Sequence, residues 1–337
     1  MQVNDEFYMD LAIKEAWKYQ FLTFKNPAVG ALIKDKNGKI LSINAHQKQG
    51  FAHAELNAII DAINKTNKTN FKSDDAKTLY EYALNNHKNI FNQASIYITL
   101  SPCTHHGKTP PCAKLLKELG FSQIIYAIED ETLSQNSEEV LSGLKIKKNI
   151  LKEKAIELLE PFLMYKKGIV LFKLSTTLNG AYDGKITNDK VDEYTHRIRQ
   201  LVDFLIIGGN TIIKDKPILD TRKANNELQG IKNPNIFIQS KNFSNILNTL
   251  PLFNVKNRSV DGGQNLPNLQ SKFVLMEGGE NFLNTHKNLI DYLMIIQNTK
   301  IKQSNLRLNL NLNLKLIHQR LVDDNTINIF KIIKEDI

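Results

Sequence analysis

The sequence predicts a two-domain α/β protein. Strand, loop, helix and strand succeed one another at 95–130, the order of a parallel α/β unit. A second set of strands includes DFLIIGGN at 203–210 and KFVLMEGG at 272–279, both ending in glycines. Between the two sets, about 132–168 is rich in lysine and glutamate and reads as the junction. With 337 residues, each half can bury a core of its own. The domains are expected at 1–146 and 147–337.

The elements follow from local pattern. Phe7, Leu11, Ala12, Ala16 and Tyr19 recur at helical spacing, which predicts a helix over 6–20. AVGALIKD and KILSINA flank Asn37-Gly38, a strong hairpin signal. HAELNAIIDAI at 53–63 returns to helical spacing, and AKTLYEYALNNH at 76–87 forms another helix after a polar stretch. SIYITL at 95–100 is a buried strand by its β-branched and aromatic content. AKLLKELG is a helix stopped at Gly120, and FSQIIYAIED is a strand. In the second half, KEKAIELLEPFLMYKK and DEYTHRIRQLV read as helices. IVLFKLSTTL and NPNIFIQS read as strands, and 241–270 as loop. LRLNLNLNLKL at 306–316 alternates strictly, which predicts an amphipathic strand with leucine on one face.

Composition narrows the class. Hydrophobic residues make up 42% and charged residues 23%, as in a globular domain protein. Two cysteines cannot frame a chain of this length with disulfides, so a reducing, cytoplasmic setting is expected. No apolar run approaches the roughly 20 residues that span a bilayer, and the acidic N-terminus has no signal-peptide pattern. The net charge of +9 comes from lysines scattered among asparagines, with no dense basic patch interleaved with aromatics. A small anionic substrate therefore suits it better than nucleic acid or a membrane.

Both cysteines fall in one loop, SPCTHHGKTPPC, between a strand and a helix. Thiolates there sit near a helix N-terminus, whose dipole favours the anion. Upstream, His53 and Glu55 open a helix in HAE. One nitrogen and two sulfurs would hold zinc and leave a fourth position for water, beside which Glu55 could take a proton and pass it to a leaving amine. Zinc nucleobase deaminases share this division of labour, with H-x-E followed by P-C-x-x-C. Here Cys103 and Cys112 are separated by eight residues rather than two. Two blander readings stay open: buried apolar cysteines, or a structural zinc whose fourth ligand is His105 or His106. The carboxylate two residues after His53 favours catalysis.

NPAVGALI, HAE and SPCTHHGKTPPC together resemble the bifunctional riboflavin-biosynthesis enzymes of bacteria, in which a pyrimidine deaminase is fused to a 5-amino-6-(5-phosphoribosylamino)uracil reductase. The wide cysteine spacing is that family's own. The resemblance implies a cytidine-deaminase-like α/β/α domain followed by a dihydrofolate-reductase-like α/β domain. It implies zinc on His53, Cys103 and Cys112, with Glu55 as proton shuttle. Asn26, His46, His105 and Lys108 would lie near the pyrimidine or its ribose phosphate. A segment at 61–93 is longer than the family usually carries.

In the second half, KLSTTLNG, DFLIIGGNTIIKDKPILDTR and LMEGG resemble the reductase motifs, with Thr177 and Asn179 replacing serine and aspartate. By that match Ser175, Thr211, Asp215, Gly278 and Gly279 would contact NADPH. Asp183, Arg199, Leu219, Arg222 and Glu277 would contact the substrate, a phosphoribosylamino pyrimidine. The loop AYDGKITND is shorter than the family's, and after Asp291 the leucine–asparagine run replaces an expected I-A-P-K-x-x-G segment. The family also implies a homo-oligomer. Two rivals are a nucleoside- or tRNA-type deaminase with a degenerate second domain, and a zinc-stabilised nucleic-acid module; the first would need no NADPH, and the second would bind RNA in a salt-sensitive way.

Overall fold

The computed structural model describes residues 3–105, 110–130, 137–224, 232–246 and 248–333. The chain divides into two compact units, Met1–Leu163 and Met164–Ile337. The division therefore falls at the end of, rather than before, the helix that follows the expected boundary at 146/147. That helix buries Ala155, Leu158 and Leu159, offers its Leu158 carbonyl to the Gln20 amide and pairs Lys154 with Asp10 at 2.7 Å. Its apolar face belongs to the first unit's core.

The first unit runs α1 (Asp5–Trp17), β1 (Gly30–Lys34), β2 (Ile40–Ala45), α2 (Ala54–Asn67), α3 (Ala76–Asn86), β3 (Ser95–Leu100), α4 (Cys112–Glu118), β4 (Gln123–Ile128), α5 (Ser137–Val140), β5 (Lys145–Lys147) and α6 (Lys152–Met164). Asn4 caps α1 by accepting from the Phe7 N–H, and Asp5 and Glu6 suit the positive end of its dipole. Its inner face, including Met9, Ala12, Ile13 and Ala16, is buried. A Cβ on Gly30 would lie 2.0 Å from the Ala12 carbonyl, so only glycine lets β1 approach α1 this closely. The sheet order is β2-β1-β3-β4-β5. The hairpin partners and β1–β3 are antiparallel, whereas β3, β4 and β5 are parallel. The segment at 61–93 holds the end of α2 and all of α3, and its Leu79, Ala83 and Phe91 join the core.

The second unit runs β6 (Ile169–Thr177), α7 (Asp189–Leu201), β7 (Phe204–Gly208), α8 (Gly209–Asp215), β8 (Asn235–Gln239), β9 (Val260–Gly263), β10 (Phe273–Glu277), α9 (Glu280–His286), β11 (Tyr292–Asn298), β12 (Leu314–Val322) and β13 (Asn325–Ile332). Its sheet has the order β12-β13-β11-β6-β10-β7-β8-β9. From β11 to β9 every pairing is parallel, and β12–β13–β11 closes one edge with antiparallel pairings. The stretch expected to be loop at 241–270 contains β9, which pairs Gly262 with Ile238.

The leucine–asparagine run departs from its expectation in part. Its alternation is real: Leu308, Leu310, Leu312 and Leu314 pack against the core while the asparagines between them are exposed. Ladder pairing begins only at Leu314, and 306–308 lies against the loop at 180–182 rather than a strand. No helix among the described residues is long and apolar enough to cross a membrane.

Candidate metal centre and a buried ion pair

The candidate metal ligands come from three places in the first unit. His53 is the N-cap of α2 with extended backbone, Cys103 follows β3, and Cys112 is the first residue of α4. His53 Nδ1 lies 3.5 Å from Cys103 Sγ and 3.6 Å from Cys112 Sγ, and the three ligand atoms all fall within 4.8 Å of one another. Tetrahedral zinc with ordinary Zn–N and Zn–S bonds sets a nitrogen–sulfur separation of about 3.6 Å. The donor set therefore fits zinc in chemistry and in spacing.

The loop is arranged for anionic sulfur. The Cys112 N–H donates to Cys103 Sγ at 3.3 Å, and contact with Cys112, then His53, draws the Cys103 thiol down to about 4. Glu55, in the first turn of α2, is only 4% exposed. Burial pushes its carboxyl up to about 7, with the charge of His53 opposing the shift.

His46 follows β2 and is buried. Its Nδ1 lies 3.0 Å from the Ala52 carbonyl, which assigns the proton to that nitrogen. Its Nε2 is then free to accept from Asn26 Nδ2 at 3.2 Å. Burial holds His46 neutral by lowering it to about 4, and its ring meets that of His53 edge-on at 5.7 Å. Asn26, His46, His53, Glu55 and both cysteines are thus held in one set of contacts. His105 is exposed where the described part of the loop stops, and Lys108 and His106 lie outside the described residues. Sequence reasoning missed Asn57, whose amide donates to the Ala45 and Ala52 carbonyls at 2.9 and 3.3 Å and fixes the His46 turn. Its one sequence signal is its place one helical turn after His53.

In the second unit the residues expected from the motif match do not gather in one place. Arg199 of α7 and Glu277 at the end of β10 form a bidentate pair, Nε to Oε1 at 3.0 Å and Nη2 to Oε2 at 2.9 Å, with side chains only 11% and 12% exposed. Lys173, which sequence reasoning left without a role, stands beside Glu277 in the β6–β10 register, and burial lowers its pKa. Arg222 instead faces solvent and pairs with Asp220 at 3.1 Å. Leu219 takes a left-handed backbone, φ 55°, and gives its carbonyl to Arg258. Asp183 pairs with Lys302 at 2.6 Å.

Among the expected nucleotide contacts, Thr211 and Asp215 lie on α8. The Ser175 hydroxyl is buried with no hydrogen-bond partner among the described residues, which fits a ligand group yet to arrive. Gly278 and Gly279 follow β10 but are covered by the rings of Phe282 and Tyr182.

His196, 8% exposed, sits 3.4 Å from Arg199 Nη1. Burial first, and then the Arg199 charge, lower it to about 4 from an ordinary 6.5. Above pH 6.5 both folded and unfolded chains hold it neutral, so its contribution is intact. As pH falls from 6.5 toward 4 the unfolded chain takes the proton first, and stability is lost. The expected loss is about 2 kcal/mol by pH 5. Urea midpoints at pH 7 and pH 5 should differ by less in His196→Gln than in the wild type; equal differences would contradict this.

Comparison with known proteins agrees with the fold and the donor set. Residues 2–128 match the cytidine and deoxycytidylate deaminase zinc-binding region. The riboflavin biosynthesis protein RibD of Aquifex aeolicus is 30% identical over 241 residues, 68% of this chain and 60% of that protein. RibD of Buchnera aphidicola is 32% identical over 237 residues, 66% of this chain and 57% of its own. The chain thus spans about 60% of the length of these curated relatives. Among solved structures, a diaminohydroxyphosphoribosylaminopyrimidine deaminase/5-amino-6-(5-phosphoribosylamino)uracil reductase from Thermotoga maritima aligns over 97% of this chain and 98% of that one. Its TM-score is 0.61 at 24% identity, a likeness of fold.

The first unit thus carries the match to a deaminase zinc-binding region, and a second α/β unit follows it. Over about two thirds of its length the chain is similar to riboflavin biosynthesis proteins of the RibD type.

Proposed function

We propose that the chain catalyses two successive steps of riboflavin synthesis. The first unit would deaminate 2,5-diamino-6-(5-phosphoribosylamino)pyrimidin-4-one hydrolytically. The second would use NADPH to reduce the ribose to a ribityl chain. The observation that carries the reading is the His53–Cys103–Cys112 triad with the buried carboxyl of Glu55 in the same turn as His53.

Zinc, when bound, supplies a Lewis acid that makes water nucleophilic at neutral pH. His53, Cys103 and Cys112 would hold it. Water would add across the ring C=N bond at the amino-bearing carbon, one of its protons going to the ring nitrogen, and ammonia would depart as the carbonyl forms. Glu55 takes one proton from the water and returns it to the leaving nitrogen, so it ends each turnover as it began. Asn26 and His46 would orient the ring: the Ala52 contact fixes the imidazole, leaving amide and imidazole as neutral hydrogen-bonding groups.

In the second unit NADPH would supply hydride to C1 of the ring-opened sugar. Ser175 would hold part of that nucleotide, with Thr211 and Asp215 close along the chain on α8. Arg222, exposed on its outer side, offers a guanidinium for the substrate phosphate. The Arg199–Glu277 pair would present a fixed polar edge to the sugar. A homo-oligomer in the cytoplasm is the expected setting.

Zinc dependence tests the first step. Chelation should stop ammonia release, and added zinc should restore it. Ammonia release that survives chelation overturns the proposal.

A further inference from the structure

The glycine pair after β10 is not open backbone. A Cβ on Gly279 would lie 2.9 Å from Cε2 of Tyr182, so the tyrosine ring rests on that residue. Tyr182 therefore covers the bare surface of Gly279.

A strap from the C-terminal part of the chain holds the tyrosine there. Residues 300–308 run along the loop at 178–184. The Leu178 N–H donates to the Lys300 carbonyl at 2.8 Å, and the Tyr182 N–H to the Leu306 carbonyl at 3.1 Å. The Leu308 N–H donates to the Gly180 carbonyl at 3.0 Å. The Asn179 side chain makes two further bonds to the Lys302 backbone, at 2.9 and 3.1 Å. Lys302 Nζ pairs with Asp183 at 2.6 Å, and the Asn309 N–H donates to Glu280 at 2.7 Å. Leu308, Leu310 and Leu312 anchor the strap in the same apolar cluster as Tyr182 and Phe282. The two stretches involved are the shortened loop and the leucine–asparagine run, where the sequence leaves the family pattern.

In an open α/β sheet, ligands bind beyond the carboxyl ends of the strands. β6 leads into the strapped loop and β10 into the glycine pair, so the strap lies across that end. We propose that Tyr182 gates the nucleotide site of the second unit. Its ring, clamped on Gly279 by the 300–308 strap, must swing aside before NADPH can seat. The gate rests on the reductase reading.

The test is stopped-flow fluorescence of NADPH with the full zinc-loaded chain. A binding-competent state populated a tenth of the time weakens apparent affinity tenfold, so Tyr182→Ala should bind NADPH about tenfold faster and tighter than wild type. Tyr182→Phe, which keeps the ring, should stay near wild type. Lys302→Ala, a surface change that leaves the core alone, should fall between, with faster hydrogen exchange at Leu308. Equal or weaker binding by Tyr182→Ala, with Lys302→Ala unchanged, overturns the gate while leaving the reductase reading in place. Absence of NADPH binding in wild type and every variant overturns the reductase reading, and the gate falls with it.

Discussion

Replacing Glu55 with glutamine is expected to slow deamination by about 10² to 10⁴-fold, the range for a positioned general acid–base group. Zinc should remain bound, because the amide keeps the size of the side chain and all three ligands stay. The carboxyl is 4% exposed, and its burial drives it up to about 7. A group held near neutrality can both accept and return a proton, whereas an amide can do neither. Folding should be unharmed or slightly improved, since the substitution removes the cost of burying a carboxylate. NADPH binding to the second unit should be unchanged. The check is ammonia release beside zinc content from metal analysis. Wild-type turnover in Glu55→Gln would remove Glu55 from the mechanism; lost turnover together with lost zinc would make it a structural residue.

Glu277→Ala should be the most damaging single change in the second unit. Truncating one partner of a buried pair costs about 3–5 kcal/mol, because the charge left behind has lost its solvent and its partner. Here two cations are left, Arg199 and Lys173, since Lys173 is beside Glu277 in the β6–β10 register. Arg199→Ala should cost less, because Glu277 keeps Lys173 as a neighbour. That order, Glu277→Ala below Arg199→Ala below wild type, is read from urea unfolding. Reversal of the order would mean that Lys173 does not share the charge of Glu277. The double variant should be less destabilised than the sum of the two singles, as expected for residues in contact.

The candidate zinc loop was legible because its chemistry is local. SIYITL announces a buried strand, Cys103 follows it, and Cys112 begins α4, while HAE places His53 and Glu55 at the start of α2. What sequence could not show is how these pieces close on one another. Asn57 and the tautomer of His46 depend on the Ala52 carbonyl, a backbone group with no signature in residue type.

The second half shows the same limit more plainly. Strict alternation in LRLNLNLNLKL gave the inward leucines, but pairing is a property of the neighbour, and the neighbour of 306–308 is the loop at 180–182. Arg199 and Arg222 look alike in sequence, yet α7 buries the first against Glu277 and leaves the second on Asp220 at the surface. Amphipathic α6 announced a buried face without saying which unit it covers, and its contacts with Gln20 and Asp10 decide that.

The central claim is that one chain performs a zinc-dependent deamination and an NADPH-dependent reduction. The most direct measurement is mass spectrometry of the product after incubating the zinc-loaded chain with the phosphoribosylamino-pyrimidine, with and without NADPH. The account predicts exchange of an amine for a carbonyl oxygen in both tubes, and two further hydrogens only with NADPH. An unchanged substrate in both tubes would contradict it.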